Sequence, residues 1–161
     1  MENTIVKAEL NDKPILQRLL ELYAYDFSEF DNADLNIHGE YGYPRLDYYW
    51  NETDRYAYLL KTDNNISGFS MIRTEYYNNT NTFSMAEFFI LKKYRFKGIG
   101  KYFALNNFKM HLGDWEVPVM KSNLIALKFW ENILKEKTNN KYEISKKDNW
   151  DGPVFKFKIN E

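Results

Sequence analysis

Apolar positions recur along this chain with two periods. In "NDKPILQRLLELYAYDF", Leu16, Leu19, Leu20, Tyr23 and Phe27 return at helical spacing. The spacing predicts a helix with a core-facing stripe, capped by Asn11 or Asp12 and tolerating Pro14 in its first turn. "TIVKAEL" before it reads as a short strand. Residues 28–50 lose the period; they are acidic, aromatic and broken by Gly and Pro, and read as loop with a short helix around Leu46 to Trp50. "RYAYLLK" and "ISGFSMIR" flank "TDNN" as strand, turn and strand. "TEYYNNTNT" reads as a polar connection. "FSMAEFFIL" is apolar enough to lie centrally in a sheet. A helix is predicted from near Gly98 toward Leu112, with Ile99, Tyr102, Phe103 and Met110 on one face. "GDWEVPVM" reads as a turn and a strand. "SNLIALKFWENILKEK" reads as a helix starting near Ser122 or Asn123, with Ala126, Phe129, Trp130 and Ile133 together. "KYEIS" and "VFKFKI" close the chain as strands around "KKDNWDGP".

The order is β-α-(α)-β-β-β-α-β-α-β-β. A meander followed by one right-handed β-α-β crossover predicts a single α/β sheet with helices on both faces. The 161 residues suit one domain, spanning 1–161.

Charge and composition narrow the chemistry. The net charge is −1, so no global field draws the chain to nucleic acid or anionic membrane, and neither is expected as a partner. Cysteine is absent, which excludes disulfides, thiolate catalysis and cysteine-ligated metals. No apolar run approaches the roughly 18 residues of a membrane span. The opening "MENTIVKAEL" lacks the layout of a signal peptide, so a cytoplasmic location is expected. No His, Asp and Glu set has metal-ligand spacing, so no metal is expected.

Local charge is a different matter. In "FFILKKYRFKGIGKYFA" a strand ends at Leu91 and a helix begins near Gly98, with Arg95, Lys97 and Lys101 around two glycines. The first N–H groups of a helix lack intrahelical partners and its dipole is positive there. Glycine permits sharp turns and close approach. The junction is an anion site suited to phosphate or pyrophosphate. It lacks the third glycine of a dinucleotide fingerprint, where Phe103 stands. It also lacks the first glycine and the hydroxyl of a P-loop, where Tyr102 replaces the latter. What remains is R-x-x-G-x-G at Arg95, Gly98 and Gly100.

That pattern, following the strand in "AEFFILKKYRFKGIGKYFALNNF", resembles the acetyl-CoA signature of the GNAT superfamily of N-acetyltransferases. "SNLIALKFWENI" resembles the family's second signature, at Asn123, Ala126, Phe129 and Trp130. The resemblance implies a mixed, mostly antiparallel central sheet of about six to seven strands with helices on both faces, strands four and five splayed to admit a ligand. It implies acetyl-CoA as co-substrate. The diphosphate would rest on the N–H groups of Arg95, Phe96, Lys97, Gly98, Ile99, Gly100 and Lys101. The pantetheine arm would pair with Phe89, Ile90 and Leu91. Pro118 is tolerable where strand five has already left strand four, or marks a local irregularity without a ligand role. The final strands support dimers in this family, so a homodimer is left open.

Acetyl transfer needs an amine without its extra proton, a polarised carbonyl and a departing thiolate. The resemblance points to a strand-four N–H near Ile90 or Leu91 as polariser. Glu87, inside the apolar "MAEFFIL", is the candidate base, because burial would raise its pKa; a paired or edge-facing structural carboxylate is the alternative. Relatives carry Tyr where Trp130 stands, and an indole N–H is not a usable acid. Trp130 suits core packing, and Asn123 suits a cap as well as a CoA contact. His111 is expected to be structural, its charge suiting a helix C-terminus. His38 lies in the acidic loop and could line an acceptor site. Asp26, Glu29, Asp31, Asp34, Glu40 and Asp47, among aromatics, suit a cationic small-molecule or peptide amine, although most such carboxylates face solvent. The alternative to an enzyme is a non-catalytic acyl-CoA-binding module.

Overall fold

A computed structural model describes residues 1–161. Seven strands form one sheet in the order β1-β2-β3-β4-β5-β7-β6. The strands are β1 (Asn3–Lys7), β2 (Arg55–Thr62), β3 (Asn65–Tyr77), β4 (Thr80–Ile90), β5 (Gly113–Pro118), β6 (Tyr142–Ser145) and β7 (Val154–Ile159). The helices are α1 (Lys13–Asp31), α2 (Tyr48–Asn51), α3 (Ile99–Met110) and α4 (Leu124–Lys137). All neighbouring strands run antiparallel except β4 and β5, which the α3 crossover makes parallel. Two cores flank the sheet. Leu16, Leu19 and Leu20 of α1 pack on Leu59, Phe69 and Met71 on one face. Phe103 and Phe108 of α3, with Trp130 and Leu134 of α4, pack on Ile72, Met85 and Trp115 on the other.

Three local expectations differ. The segment "TEYYNNTNT" is the tip of a long hairpin and not a connection. Asn78 and Asn79 take φ of 46° and 65°, the left-handed pair of a two-residue turn, and Tyr77 pairs with Thr80. Asn tolerates that conformation because its short amide bonds locally. Asp12 does not cap α1 with its side chain; its carboxylate accepts from Glu9 N at 2.9 Å and closes the 3-10 turn Leu10–Asp12 instead. The strand of "TIVKAEL" ends at Lys7.

His111 is buried, as a structural residue would be, but it is not a cation at the end of α3. Its Nε2 lies 2.8 Å from the Tyr58 hydroxyl, and its ring packs among Tyr56, Phe83 and Trp115. Burial pushes the imidazole down to about 4. A folded pKa below the unfolded value means that the unfolded chain takes up the proton first as pH falls. Stability present above pH ~6.5 should therefore drain away toward pH 4, by about 3 kcal/mol from this group. Denaturant melts at pH 7 and pH 4 should show a larger loss for the wild type than for His111→Gln. Equal losses would remove His111 from the acid response.

One irregularity positions the site. Met71 pairs with Glu87 but Ile72 pairs with Met85, so Ala86 is an extra residue in β4. A bulge of this kind reverses which face each following side chain takes. Phe83 and Met85 face the α3–α4 core, and regular alternation would send Glu87 after them. Past the bulge, Phe88 packs on Phe103 and Trp130 instead, while Phe89 joins Phe69 and Tyr23 on the α1 side. Glu87 accordingly emerges on the α1 face.

Candidate active site

β4 and β5 pair only from Thr82 to Ser84 against Asp114 to Glu116. β4 then continues to Ile90 with no neighbour on that edge. β5 stays on β7, where Pro118 pairs with Val154, two residues past its last contact with β4. A proline has no N–H to offer a ladder, and here no β4 partner asks for one. A cleft of about 960 Å³ opens through the gap and reaches from α1 to α4. Leu91 N donates to Ser67 O at 2.9 Å, toward β3. Strand alternation then turns the Ile90 N–H the other way, to the edge β5 has left. Of the two N–H groups considered for polarising a carbonyl, Ile90 is the one facing the cleft side.

At the far end of β4 the chain curls through Phe96 (φ 60°) and Gly98 (φ 78°) into α3. The first helical bond runs from Tyr102 N to Gly98 O at 3.0 Å, which leaves the N–H groups of Ile99, Gly100 and Lys101 ahead of it. The two glycines serve different needs. Nothing lies within 4 Å of where a Cβ on Gly98 would stand, so the left-handed backbone alone demands glycine. A Cβ on Gly100 would sit 3.2 Å from the Phe129 ring, so this glycine allows α3 to pack on α4.

The charge at the junction is smaller than the sequence promises. Arg95 Nε donates to Ile90 O at 2.7 Å and its Nη2 reaches Asp26 at 2.6 Å. Burial would raise the Asp26 carboxyl, but Arg95 and Lys92 outweigh it and hold it below its ordinary range. Lys101 pairs with Glu136 at 2.6 Å. Lys97 is exposed and makes no ion pair. Three expected cations thus reduce to one unpaired, because acidic residues far off in sequence fold onto the other two. Arg95, Phe96, Gly98, Gly100 and Lys101 line the cleft with Phe89 and Ile90; the Ile99 side chain is in the core, and Leu91 and Lys97 stand off the lining. The Phe96 ring is 91% exposed at the rim.

From α4, Asn123, Ala126, Phe129 and Trp130 line the same cleft. Asn123 is the cap of α4, its Oδ1 accepting from Ala126 N at 3.0 Å. Trp130 is 5% exposed and packs edge-on against Phe88 and Phe129. It is a core residue with one margin on the cleft.

Glu87 is half-buried in the cleft wall. The Tyr43 hydroxyl donates to its Oε1 at 3.1 Å, and the Tyr23 hydroxyl faces the same carboxylate. Burial raises the Glu87 carboxyl; the two hydroxyls and the Arg73 charge pull it down, and burial prevails. Burial and the nearby carboxylate in turn raise Tyr23 and Tyr43. Tyr49, behind them, is pushed up to about 12 by burial first and Glu87 second. These phenols stay protonated, and Tyr43 is the donor to Glu87. Tyr23 is legible in the sequence only as a core-facing position of α1, and Tyr43 and Arg73 carry no signal there: Tyr43 meets Glu87 across 44 positions. Of the acidic residues before α2, Asp26, Glu29 and Asp31 reach the cleft. Asp47 pairs with Lys13 at 2.5 Å, Glu40 borders a smaller cavity, and Asp34 is exposed. His38 is exposed and off the cleft lining.

By sequence, no family model and no curated protein matches the chain. By structure it is similar to an acetyltransferase from Thermus thermophilus, with 16% identity and a TM-score of 0.71 over 99% of this chain and 98% of that one. It is similar to an acetyltransferase of the GNAT family from Staphylococcus aureus, with 14% identity and a TM-score of 0.67 over 99% and 100%. It is also similar to the PaiA N-acetyltransferase from Thermoplasma acidophilum in complex with coenzyme A, with 14% identity and a TM-score of 0.66 over 99% and 100%. At such identities the likeness is one of architecture, and it agrees with the parallel, parted β4 and β5: this chain has the fold of the GNAT N-acetyltransferases.

Proposed function

We propose that this protein transfers an acetyl group from acetyl-CoA to a primary amine by direct attack in a ternary complex. The observation that carries the reading is the single cleft, which joins the glycine turn before α3 to the Glu87 carboxylate through the β4–β5 gap. In this reading the N–H groups from Phe96 to Lys101 hold the diphosphate and the free edge of Phe89 to Ile90 meets the pantetheine. Glu87 takes the proton from the incoming ammonium. The amine nitrogen then attacks the thioester carbon, the C–S bond breaks with its electron pair leaving on sulfur, and the proton the nitrogen sheds on becoming an amide passes to the thiolate or to solvent. A thiol pKa of about 8.5 lets the thiolate depart without a dedicated acid, which suits a Trp at position 130. Glu29, Asp31 and Glu87, with Tyr23 and Phe27, give the α1 end an acidic, aromatic lining that favours a cationic amine.

Acetyl-CoA should raise the melting temperature, since ligand at 100 times Kd adds about 2.7 kcal/mol to the native state. Gly98→Asp should abolish that shift: the position has φ of 78° and the new carboxylate would face the diphosphate. A folded Gly98→Asp protein with an undiminished shift would remove the turn from the binding site. Thiol release with a panel of amines tests turnover itself. Tight acetyl-CoA binding without release across the panel would favour a binding module.

A further inference from the structure

Residues 32–47, between α1 and α2, form neither helix nor strand. A connection of this length in a compact protein is uncommon and usually has a function. Its early half closes on itself, with Asn36 Oδ1 accepting from His38 N and Glu40 N. Near its end Asp47 pairs with Lys13 and Leu46 is buried in the core; before that, it is tied to α1 at Glu21, in the middle of the helix. Glu21 Oε2 accepts from Tyr41 N at 2.8 Å and Oε1 accepts from Gly42 N at 2.7 Å. The next residue is Tyr43, the donor to Glu87.

Tyr43 has open space on two sides. In front is the cleft; behind is a separate cavity of about 270 Å³ bordered by Pro14, Arg18, Leu20, Glu21 and Leu46. The Tyr43 ring packs only in part on the α1-side core, so the backbone that carries it also sets its place. Gly42, at φ 75°, makes the turn between the Glu21 contacts and the ring.

We propose that Glu21 is a positioning residue: by holding the N–H groups of Tyr41 and Gly42 it sets the Tyr43 hydroxyl on the Glu87 carboxylate. The importance of this for catalysis rests on the reading of Glu87 as the base, but the contact can be tested without any acceptor. The groups facing Glu87 are Tyr23 from α1, Tyr43 from the connection, Tyr49 from α2 and Arg73 from β3. Only Tyr43 is carried by a segment without regular structure. A hydrogen bond to an ionised carboxylate lowers its titration midpoint, so loss of the Tyr43 bond should raise that of Glu87.

The experiment follows the Glu87 carboxyl by carbon-13 NMR in the full chain with labelled glutamate, the signal identified by its loss in Glu87→Gln. Tyr43→Phe should move the midpoint upward by about one pH unit, the order of one hydrogen bond to a charged group. Glu21→Ala should move it upward by a similar amount, and Glu21→Gln, which keeps one acceptor oxygen, by less. The double variant should shift no further than Tyr43→Phe, since both act through one contact. An unmoved midpoint in Tyr43→Phe or in folded Glu21→Ala overturns the proposal, as does additivity in the double variant. If Glu21→Ala does not fold, an unmoved midpoint in Glu21→Gln has the same force. A purely structural Glu21 would lower the melting temperature and leave the midpoint in place. Turnover of Glu87→Gln tests the base separately.

Discussion

Replacing Glu87 by glutamine is expected to lower turnover by about 10²–10⁴-fold near neutral pH, the usual worth of a general base, with acetyl-CoA affinity nearly unchanged. The substitution keeps the shape and removes the charge. Acetyl-CoA should hardly notice, because the carboxyl lies on the α1 face with Tyr23 and Tyr43, away from the turn before α3. Burial raises the Glu87 carboxyl, so the wild-type rate should climb with pH until the carboxylate has formed, later than for an ordinary glutamate. The deficit of the variant should shrink at high pH, where the amine is already free. Stability should move the opposite way. A carboxyl raised in the folded state binds more protons there than in the unfolded chain, so stability falls as pH passes from the unfolded to the folded midpoint. Glu87→Gln should therefore melt higher than the wild type at pH 7. Such a trade of stability for a charged group in an apolar wall is what a working site shows. Normal turnover with a good acceptor at neutral pH would leave Glu87 as a structural carboxylate.

Trp130→Ala should cost roughly 3–5 kcal/mol of stability, the range for truncating a large buried aromatic. In a chain of this size that is a melting-point drop on the order of 10 °C. The indole is 5% exposed, and its ring centroid lies 4.9 Å from Phe88, 5.0 Å from Phe129 and 6.2 Å from Phe108. Removing it opens a cavity between α4 and the strand that carries Glu87. Because one margin of the ring lines the cleft, acetyl-CoA affinity should fall as well. Equilibrium unfolding and a thermal shift with acetyl-CoA measure the two effects apart. A loss of affinity with stability within about 1 kcal/mol of the wild type would make Trp130 a ligand wall and not a core residue.

Much of this protein is legible locally. The α1 stripe of Leu16, Leu19 and Leu20 announces a helix and its buried face because helical period depends only on neighbouring residues. The turn before α3 is legible for the same reason: glycine at position 98 and the loss of apolar period mark a backbone event within a few residues. Asn123 shows both the strength and the limit of such reading. Its type announces a helix start, and its amide does cap Ala126 N, but the sequence could not choose between cap and ligand contact. The Asn78–Asn79 hairpin was equally local, yet its polar flanks hid two strand ends that only cross-strand pairing makes regular.

The sequence by itself determined the elements, their order and a glycine turn at a helix start, because propensity, period and capping act over a few residues. The tertiary structure decided which face Glu87 takes, since one extra residue at Ala86 inverts the alternation and only the register with β3 reveals it. It decided which cations stay unpaired, since Asp26 and Glu136 reach Arg95 and Lys101 from other helices. It also decided which hydroxyls attend the carboxylate, since Tyr43 arrives on a connection with no period of its own, held by Glu21. Each of these depends on groups brought together by folding from distant positions, and short-range pattern carries no record of such pairings.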